Sequence, residues 1–248
     1  MEIYEYHLKT IDPIFFAKES VTGALTPPYI HATAINHAVS WSLGILNTNQ
    51  YYITPFESQD RNEPFYENSW ITKKFYFTPA RPKHDISYLS EIAKGDGDKY
   101  IQLGYGAVKI HGKSIAHYEV LKAYSLFFIP PETEFIGILY VFENDTKKKF
   151  PKLIRLGSFR GIVELHISKE LKIVGNENNK FCVHPVDPLV HAPIRGQLIQ
   201  MLPYPIVDLP FLNEVFAVRK AGKLVYVAHF PEIEEKEEIV IKNDLNFI

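Results

Sequence analysis

The chain opens on a two-residue rhythm. Tyr4, Tyr6 and Leu8 alternate with Ile3, Glu5, His7 and Lys9, the pattern of a strand. The period then lengthens. Across PPYIHATAINHAVSWSLGI, residues 27–45, Ile30, Ala34, Ala38, Trp41 and Ile45 fall near one helical stripe, and Ile35, Val39 and Leu43 widen it. Pro27 and Pro28 suit the start of that helix. Residues 47–69 show no clear period and read as loop. ITKKFYFTP, 71–79, reads as a strand stopped by a proline.

Residues 80–118 change character. They hold Pro82, several glycines and charges of both signs, and fit a short helix at 86–94 followed by a twisted hairpin. Long segments of this kind inside a compact domain are usually functional. Strand patterns resume in VLKAYSLFFIPP and EFIGILYVFE, joined at Pro130-Pro131, and again in GIVELHISK. Another strand pair follows, including EVFAVRKAGKLVYVAHF, a hairpin turning at Ala221-Gly222. The tail PEIEEKEEIVIKND is an acidic run that reads as solvated surface.

The pattern predicts an α+β fold with a mainly antiparallel sheet and one early helix. Helix after first strand, then adjacent strands, is compatible with a ferredoxin-like core carrying a large insertion. Residues 1–248 read as one domain, with 80–118 as the projecting insertion.

Composition narrows the function. The net charge of −2 excludes a polycation, so any nucleic-acid contact must come from local patches. A lone Cys182 can form neither an internal disulfide nor a multi-cysteine zinc site, which suits a reducing compartment. The first residues are charged throughout, without the apolar stretch of a secretion signal. The densest apolar run, Phe135 to Phe142, is too short to cross a bilayer. The chain reads as soluble and cytoplasmic, with no membrane partner.

Enzymatic motifs fail on inspection. AVKIHGKS, 107–114, has Ala107 where a P-loop needs its first glycine, and no helix pattern follows Ser114. GSFRG precedes a strand, so it is no dinucleotide fingerprint, and its spacing is not that of a nucleophile elbow. His184, Asp187 and His191 in HPVDPLVH form a conceivable metal site, but loop histidines beside prolines are more often structural. Tyr29, His31 and a lysine such as Lys73 could form a metal-independent ribonuclease centre. A helix-start histidine satisfied by backbone is the plainer reading. No cofactor, metal or catalytic residue is expected.

Two basic segments carry more. Between Thr146 and Gly161 stand Lys147, Lys148, Lys149, Lys152, Arg155 and Arg160, with no acid among them. Between Ile71 and His84, Lys73, Lys74, Arg81 and Lys83 interleave with Phe75, Tyr76 and Phe77, again without an acid. Cations neutralise phosphates, and exposed aromatic faces stack on bases. The first segment runs into a turn bracketed by Gly157 and Gly161. Glycine removes the Cβ that blocks close approach, and its amides can face an anion. The expectation is that a nucleic-acid backbone approaches there.

The pattern IYEYHLKTIDPIFFAKESVTG…YIHATAINHAVSWSLG, followed downstream by IRLGSFRGIVEL, resembles the five-type Cas subunit of type I-D CRISPR interference complexes, the Csc-one group of the RAMP superfamily. The resemblance spans most of the chain. It implies a ferredoxin-like (RRM-like) core with a thumb-like hairpin, for which residues 80–118 are the candidate. It also implies a non-catalytic cap that holds the 5′ handle of the CRISPR RNA and abuts the backbone and large subunits of the effector complex. Target DNA near the protospacer-adjacent motif is a further candidate partner. Arg155, Gly157, Ser158, Phe159, Arg160 and Gly161 carry over as handle contacts. Lys147, Lys148, Lys149, Lys152, Lys73, Lys74, Tyr76, Arg81, Lys83 and His31 complete the RNA-binding candidates. Two alternatives stay open: an endoribonuclease of the same superfamily, and an assembly protein that touches no RNA.

Overall fold

The structure, a computed structural model, describes residues 1–16, 23–45, 69, 72, 74–94, 109–110, 113–114, 123–143, 149–158, 160–201 and 203–230. The first half holds β1 (Glu2–Thr10), β2 (Gly23–Leu25), α1 (Ala32–Ser42), β3 (Phe75–Phe77), β4 (Arg81–Pro82), β5 (Leu89–Lys94), β6 (Lys109–Ile110) and β7 (Lys113–Ser114). The second holds β8 (Ala123–Phe128), β9 (Glu134–Val141), β10 (Leu153–Leu156), β11 (Gly161–Glu170), β12 (Lys172–Phe181), β13 (Arg195–Ile199), β14 (Ile206–Lys220) and β15 (Lys223–Ala228). Among the described residues no helix is long and apolar enough to cross a membrane.

The main sheet runs β10-β11-β1-β9-β3, with β4 also on β9, and every pairing is antiparallel. Alternation in β1 sends Tyr4, Tyr6 and Leu8 under α1, against Ile35, Val39, Phe75 and Phe77. Tyr6 lies over Gly137, its register partner on β9, where a Cβ would stand 2.5 Å from the ring. Its hydroxyl donates to the Thr78 carbonyl at 2.6 Å. That bond satisfies a phenol whose desolvation would otherwise be costly.

The helix begins at Ala32, with the His31 side chain accepting from the Thr33 amide as its N-cap. Its inner face is Ala32, Ile35, Asn36 and Val39, while Trp41 stays 49% exposed. Of the expected stripe, Ile30, Ile35 and Val39 are buried and Ala34, Ala38, Leu43 and Ile45 pack against the same core, so Trp41 alone falls outside it. Pro27 and Pro28 precede the cap and say little about the angular position of the helix. Asn36 adds a polar residue to the buried face. Its amide donates to the Phe77 carbonyl at 2.8 Å and accepts from the Phe77 amide at 2.9 Å. One polar side chain thus takes the place of a further strand beside β3, answering backbone groups that could not stay buried unpaired.

The opposite face of the main sheet is partly covered by a second sheet, β12-β14-β13 with β15 on β14. Ile3, Tyr76, Ile138 and Tyr140 pack there against Phe216, Val218, Val227 and Phe230. The expected hairpin holds, turning through Ala221 and Gly222, both with positive φ.

A third sheet joins β2 in parallel to β8, and β8 antiparallel to β5, with the β6–β7 pair between them in sequence. Residues 89–94 are therefore a strand where a short helix was expected. Arg81 and Pro82 belong to the main sheet through β9, and the return strand β8 reaches Phe128.

Candidate nucleic-acid interface

The β10–β11 hairpin forms one edge of the main sheet. Ile154 and Leu156 point inward, and Leu153 and Arg155 outward, as alternation requires. The turn starts at Gly157, with φ +79, and closes at Arg160, with φ +56. The Arg160 amide donates to the Gly157 carbonyl at 3.0 Å. Lys149, Lys152, Arg155, Ser158 and Arg160 are exposed. The four cations among them make no ion pair with a described residue. Arg155 donates to the Arg160 carbonyl at 3.3 Å, which holds its side chain along the turn.

What the glycines admit is the chain itself. A Cβ on Gly157 would stand 2.5 Å from the Phe15 carbonyl oxygen, and one on Gly161 would stand 2.6 Å from Ile14 Cδ1 and 2.9 Å from the Pro13 carbonyl. The Ser158 amide donates to that Phe15 oxygen at 2.8 Å. Asp12 Oδ2 accepts from the Ile162 amide at 2.9 Å, and the amides of Ile11 and Asp12 both donate to the Ile162 carbonyl. This corrects the expectation that the glycines make room for a nucleic-acid backbone: segment 11–15 already fills that space. Asp12 was missed in the sequence. Its signal was there, an aspartate directly before Pro13, a pair that favours turns.

The second basic segment does not assemble into an aromatic surface. Phe75, Tyr76 and Phe77 are all fully buried. Phe75 and Phe77 lie on the helix side, and Tyr76 packs on Tyr140 and Phe230 under the second sheet. No base can reach the Tyr76 ring, so its place among the RNA contacts is corrected. The cations around it are engaged: Lys83 with Glu134 at 2.5 Å, Lys74 with Glu143 at 3.8 Å and Arg81 with Asp208 at 3.8 Å. Lys73, Lys147, Lys148 and Phe159 lie outside the described residues.

His31 is also buried, which corrects its place as an RNA contact. Burial lowers its pKa to about 4. Nδ1 accepts from Thr33, and the ring stands edge-on to Tyr204 with centroids 4.5 Å apart. Tyr29 donates to Asp208 Oδ2 at 2.8 Å, and its pKa is raised to about 12, chiefly by burial and then by that bond. The Tyr29 hydroxyl and His31 Nδ1 are thus both engaged in structural bonds.

The loop with His184, Asp187 and His191 is built from internal contacts. His184 Nε2 accepts from the Ala228 amide at 3.1 Å, which leaves Nδ1 protonated and donating to the Pro185 carbonyl at 2.8 Å. Asp187 accepts from Ser69, from Tyr204 at 2.7 Å and from the Leu189 amide at 2.9 Å. No cluster fit for a metal ion occurs among the described residues. Within AVKIHGKS, Lys109 and Ile110 pair with Ser114 and Lys113 as short strands.

No curated protein is similar to the chain. Among solved structures, a subunit of the Type III-B Cmr-beta complex bound to cognate target RNA and AMPPnP is 10% identical, over 98% of this chain and 91% of that one, with a TM-score of 0.45. Cmr4 (Cas7) of Pyrococcus furiosus is 10% identical over 68% of this chain and 100% of its own, with a TM-score of 0.30. A chain of a Type IV-B CRISPR complex is 9% identical over 67% and 90%, with a TM-score of 0.35. Likenesses this loose carry no argument. The family match does: the model of the Type I-D CRISPR-associated protein Cas5/Csc1 family covers residues 1–233, and the chain belongs to that family.

Proposed function

We propose that the protein is a non-catalytic RNA-binding subunit of a type I-D CRISPR effector complex, capping the 5′ handle of the CRISPR RNA. The observation that carries this reading is the outer side of the β10–β11 hairpin. Lys149, Lys152, Arg155 and Arg160 are exposed there, no acid stands among residues 149–161, and no described carboxylate neutralises the four. A phosphate backbone is the counter-charge such an edge suits. Segment 11–15 behind the turn holds the backbone of the hairpin in place.

The core is read as ferredoxin-like. Its four central strands run β11-β1-β9-β3, the fourth, first, third and second strands of that unit, with α1 after the first. The β5–β8 arm is the counterpart of the thumb, directed at the neighbouring backbone and large subunits. Target DNA near the protospacer-adjacent motif stays a candidate partner, and the cytoplasm the proposed location. The ribonuclease reading is disfavoured by the bonds that hold Tyr29 and His31.

The test is binding of labelled repeat-derived handle RNA to the full chain, with the RNA recovered afterwards. The proposal requires binding that Arg155→Ala with Arg160→Ala weakens, and RNA that stays intact. Cleavage at one position, abolished by His31→Ala, would overturn it.

A further inference from the structure

Among the described residues β10 pairs with β11 alone, so its other side is a free edge of the main sheet. In an antiparallel ladder the backbone groups of successive residues face alternate sides. Bonds on both flanks of β11 fix the phase. The Ile162 amide donates to Asp12 at 2.9 Å and its carbonyl accepts from the Ile11 amide at 2.9 Å, so both face away from β10. The Leu165 amide donates the other way, to the Lys152 carbonyl at 2.7 Å. Ile162 is the register partner of Arg155, and Glu164, two residues on, is that of Leu153. The amides and carbonyls of Leu153 and Arg155 therefore point outward along the free edge, while those of Ile154 and Leu156 close the ladder. Leu153 and Arg155 are both exposed.

The cations straddle that edge. Lys152 keeps the register of Ile154 and Leu156, on the helix side, whereas Arg155 lies with Leu153 on the opposite side of the sheet. Arg160 closes the turn beyond them, its carbonyl bonded to the Arg155 guanidinium at 3.3 Å. The line these side chains share is the edge of the strand, and neither face of the sheet contains them all.

We infer that the sugar–phosphate backbone of single-stranded RNA runs along the outer edge of β10. Phosphate oxygens accept from the Leu153 and Arg155 amides, and ribose 2′-hydroxyls donate to the carbonyls beside them. This rests on the hairpin reading above and names the groups besides the arginines that hold the strand. The two amides stand about 6.8 Å apart, two residues of strand, close to the length of one extended nucleotide. Phosphate oxygens take backbone amides as well as cations, and the 2′-hydroxyl supplies the donor that outward carbonyls need. A protein strand is the other ligand that a free edge can take. It would find only Leu153 and Arg155 to pair with, and would have to bring carboxylates to both sides of the sheet. A row of phosphates lies between the two sides and meets the cations of each.

Amide hydrogen exchange of the full chain, read by NMR with and without repeat-derived handle RNA, tests this. Saturating RNA should slow exchange at Leu153 and Arg155 at least tenfold and leave Ile154, already in the ladder, unchanged. Leu153→Pro removes an outward donor and no ladder bond. It should weaken RNA binding about tenfold, the scale of one charge-assisted hydrogen bond, where Leu153→Ala, which keeps the amide, binds as the parent. A deoxyribose version of the handle should bind more weakly than the RNA, and equal affinity would overturn the hydroxyl contacts. Unchanged exchange at both amides, or equal affinity of the proline and alanine variants, would overturn the inference. The hairpin reading would then stand if Arg155→Ala with Arg160→Ala still weakened binding, and would fail if it did not. Protection of the two amides by an octaglutamate peptide but not by RNA would assign the edge to an acidic protein strand and overturn the inference as well.

Discussion

The Ser158 amide donates to the Phe15 carbonyl oxygen at 2.8 Å, and the Cβ that Gly157 lacks would stand 2.5 Å from that same atom. The turn and the segment after β1 are therefore one unit of backbone, and the glycine is needed for folding whatever the hairpin binds.

Gly157→Val should consequently act on stability. It combines a φ of +79 with a clash against backbone, which cannot swing aside as a side chain could. Strain of this kind costs about 1–3 kcal/mol before the clash is added. In a chain of this size that lowers the melting temperature by roughly 2–12 °C. Gly222→Ala is the control, since its φ of +78 is similar but nothing lies within 4 Å of the added Cβ. Thermal unfolding should show a clearly smaller drop there, and equal drops would refute the contact with Phe15 as the cause.

Asp12 holds the other side of the same unit. Asp12→Ala leaves the Ile162 amide without its acceptor and should cost about 1–3 kcal/mol. Asp12→Asn keeps an oxygen in place and should recover part of that loss. Urea midpoints of the two variants decide it, and an alanine variant as stable as the parent would be inconsistent with the bond.

These two residues also show where the sequence is legible and where it stops. Alternation identified β1, β11 and the β14–β15 hairpin, because one face of each strand is apolar and the turn residues tolerate positive φ. The glycine turn was found, but its occupant was not. Flanking charge describes only the solvent side, whereas segment 11–15 arrives from about 150 residues away in the chain. Tyr76 was misplaced for a related reason. An FYF strand between lysines reads as half exposed until a second sheet, with no motif of its own, covers the other face.

Tyr76→Ala should therefore behave as a core deletion. Loss of a fully buried aromatic costs about 3–5 kcal/mol. Tyr76→Phe should be mild, because the hydroxyl meets Ser69 only at 3.5 Å. Denaturant midpoints should separate the two variants, while the RNA affinity of Tyr76→Phe stays at the parental value. Weaker RNA binding by Tyr76→Phe at unchanged stability would contradict the burial.

Stability should also fall on mild acidification. His31 and His184 are held neutral by burial, each with a pKa lowered to about 4 from 6.5. The unfolded chain then binds more protons between those values, so stability is complete above about pH 6.5 and is lost as the pH drops towards 4. By pH 5 each histidine should have given up about 2 kcal/mol. Protonation also removes the lone pair with which each accepts a backbone amide. Urea midpoints at pH 7 and pH 5 measure this, and equal midpoints would exclude it.

The central claim is that Arg155 and Arg160 neutralise phosphates of the handle RNA. The direct measurement is the affinity of the full chain for labelled handle RNA as a function of salt, for the parent and for Arg155→Ala with Arg160→Ala. Each phosphate contact on a single strand contributes about 0.7 to the slope of log affinity against log salt. The double variant should bind more weakly, with a slope shallower by about 1.4. An unchanged slope at unchanged affinity would show that the hairpin does not hold RNA.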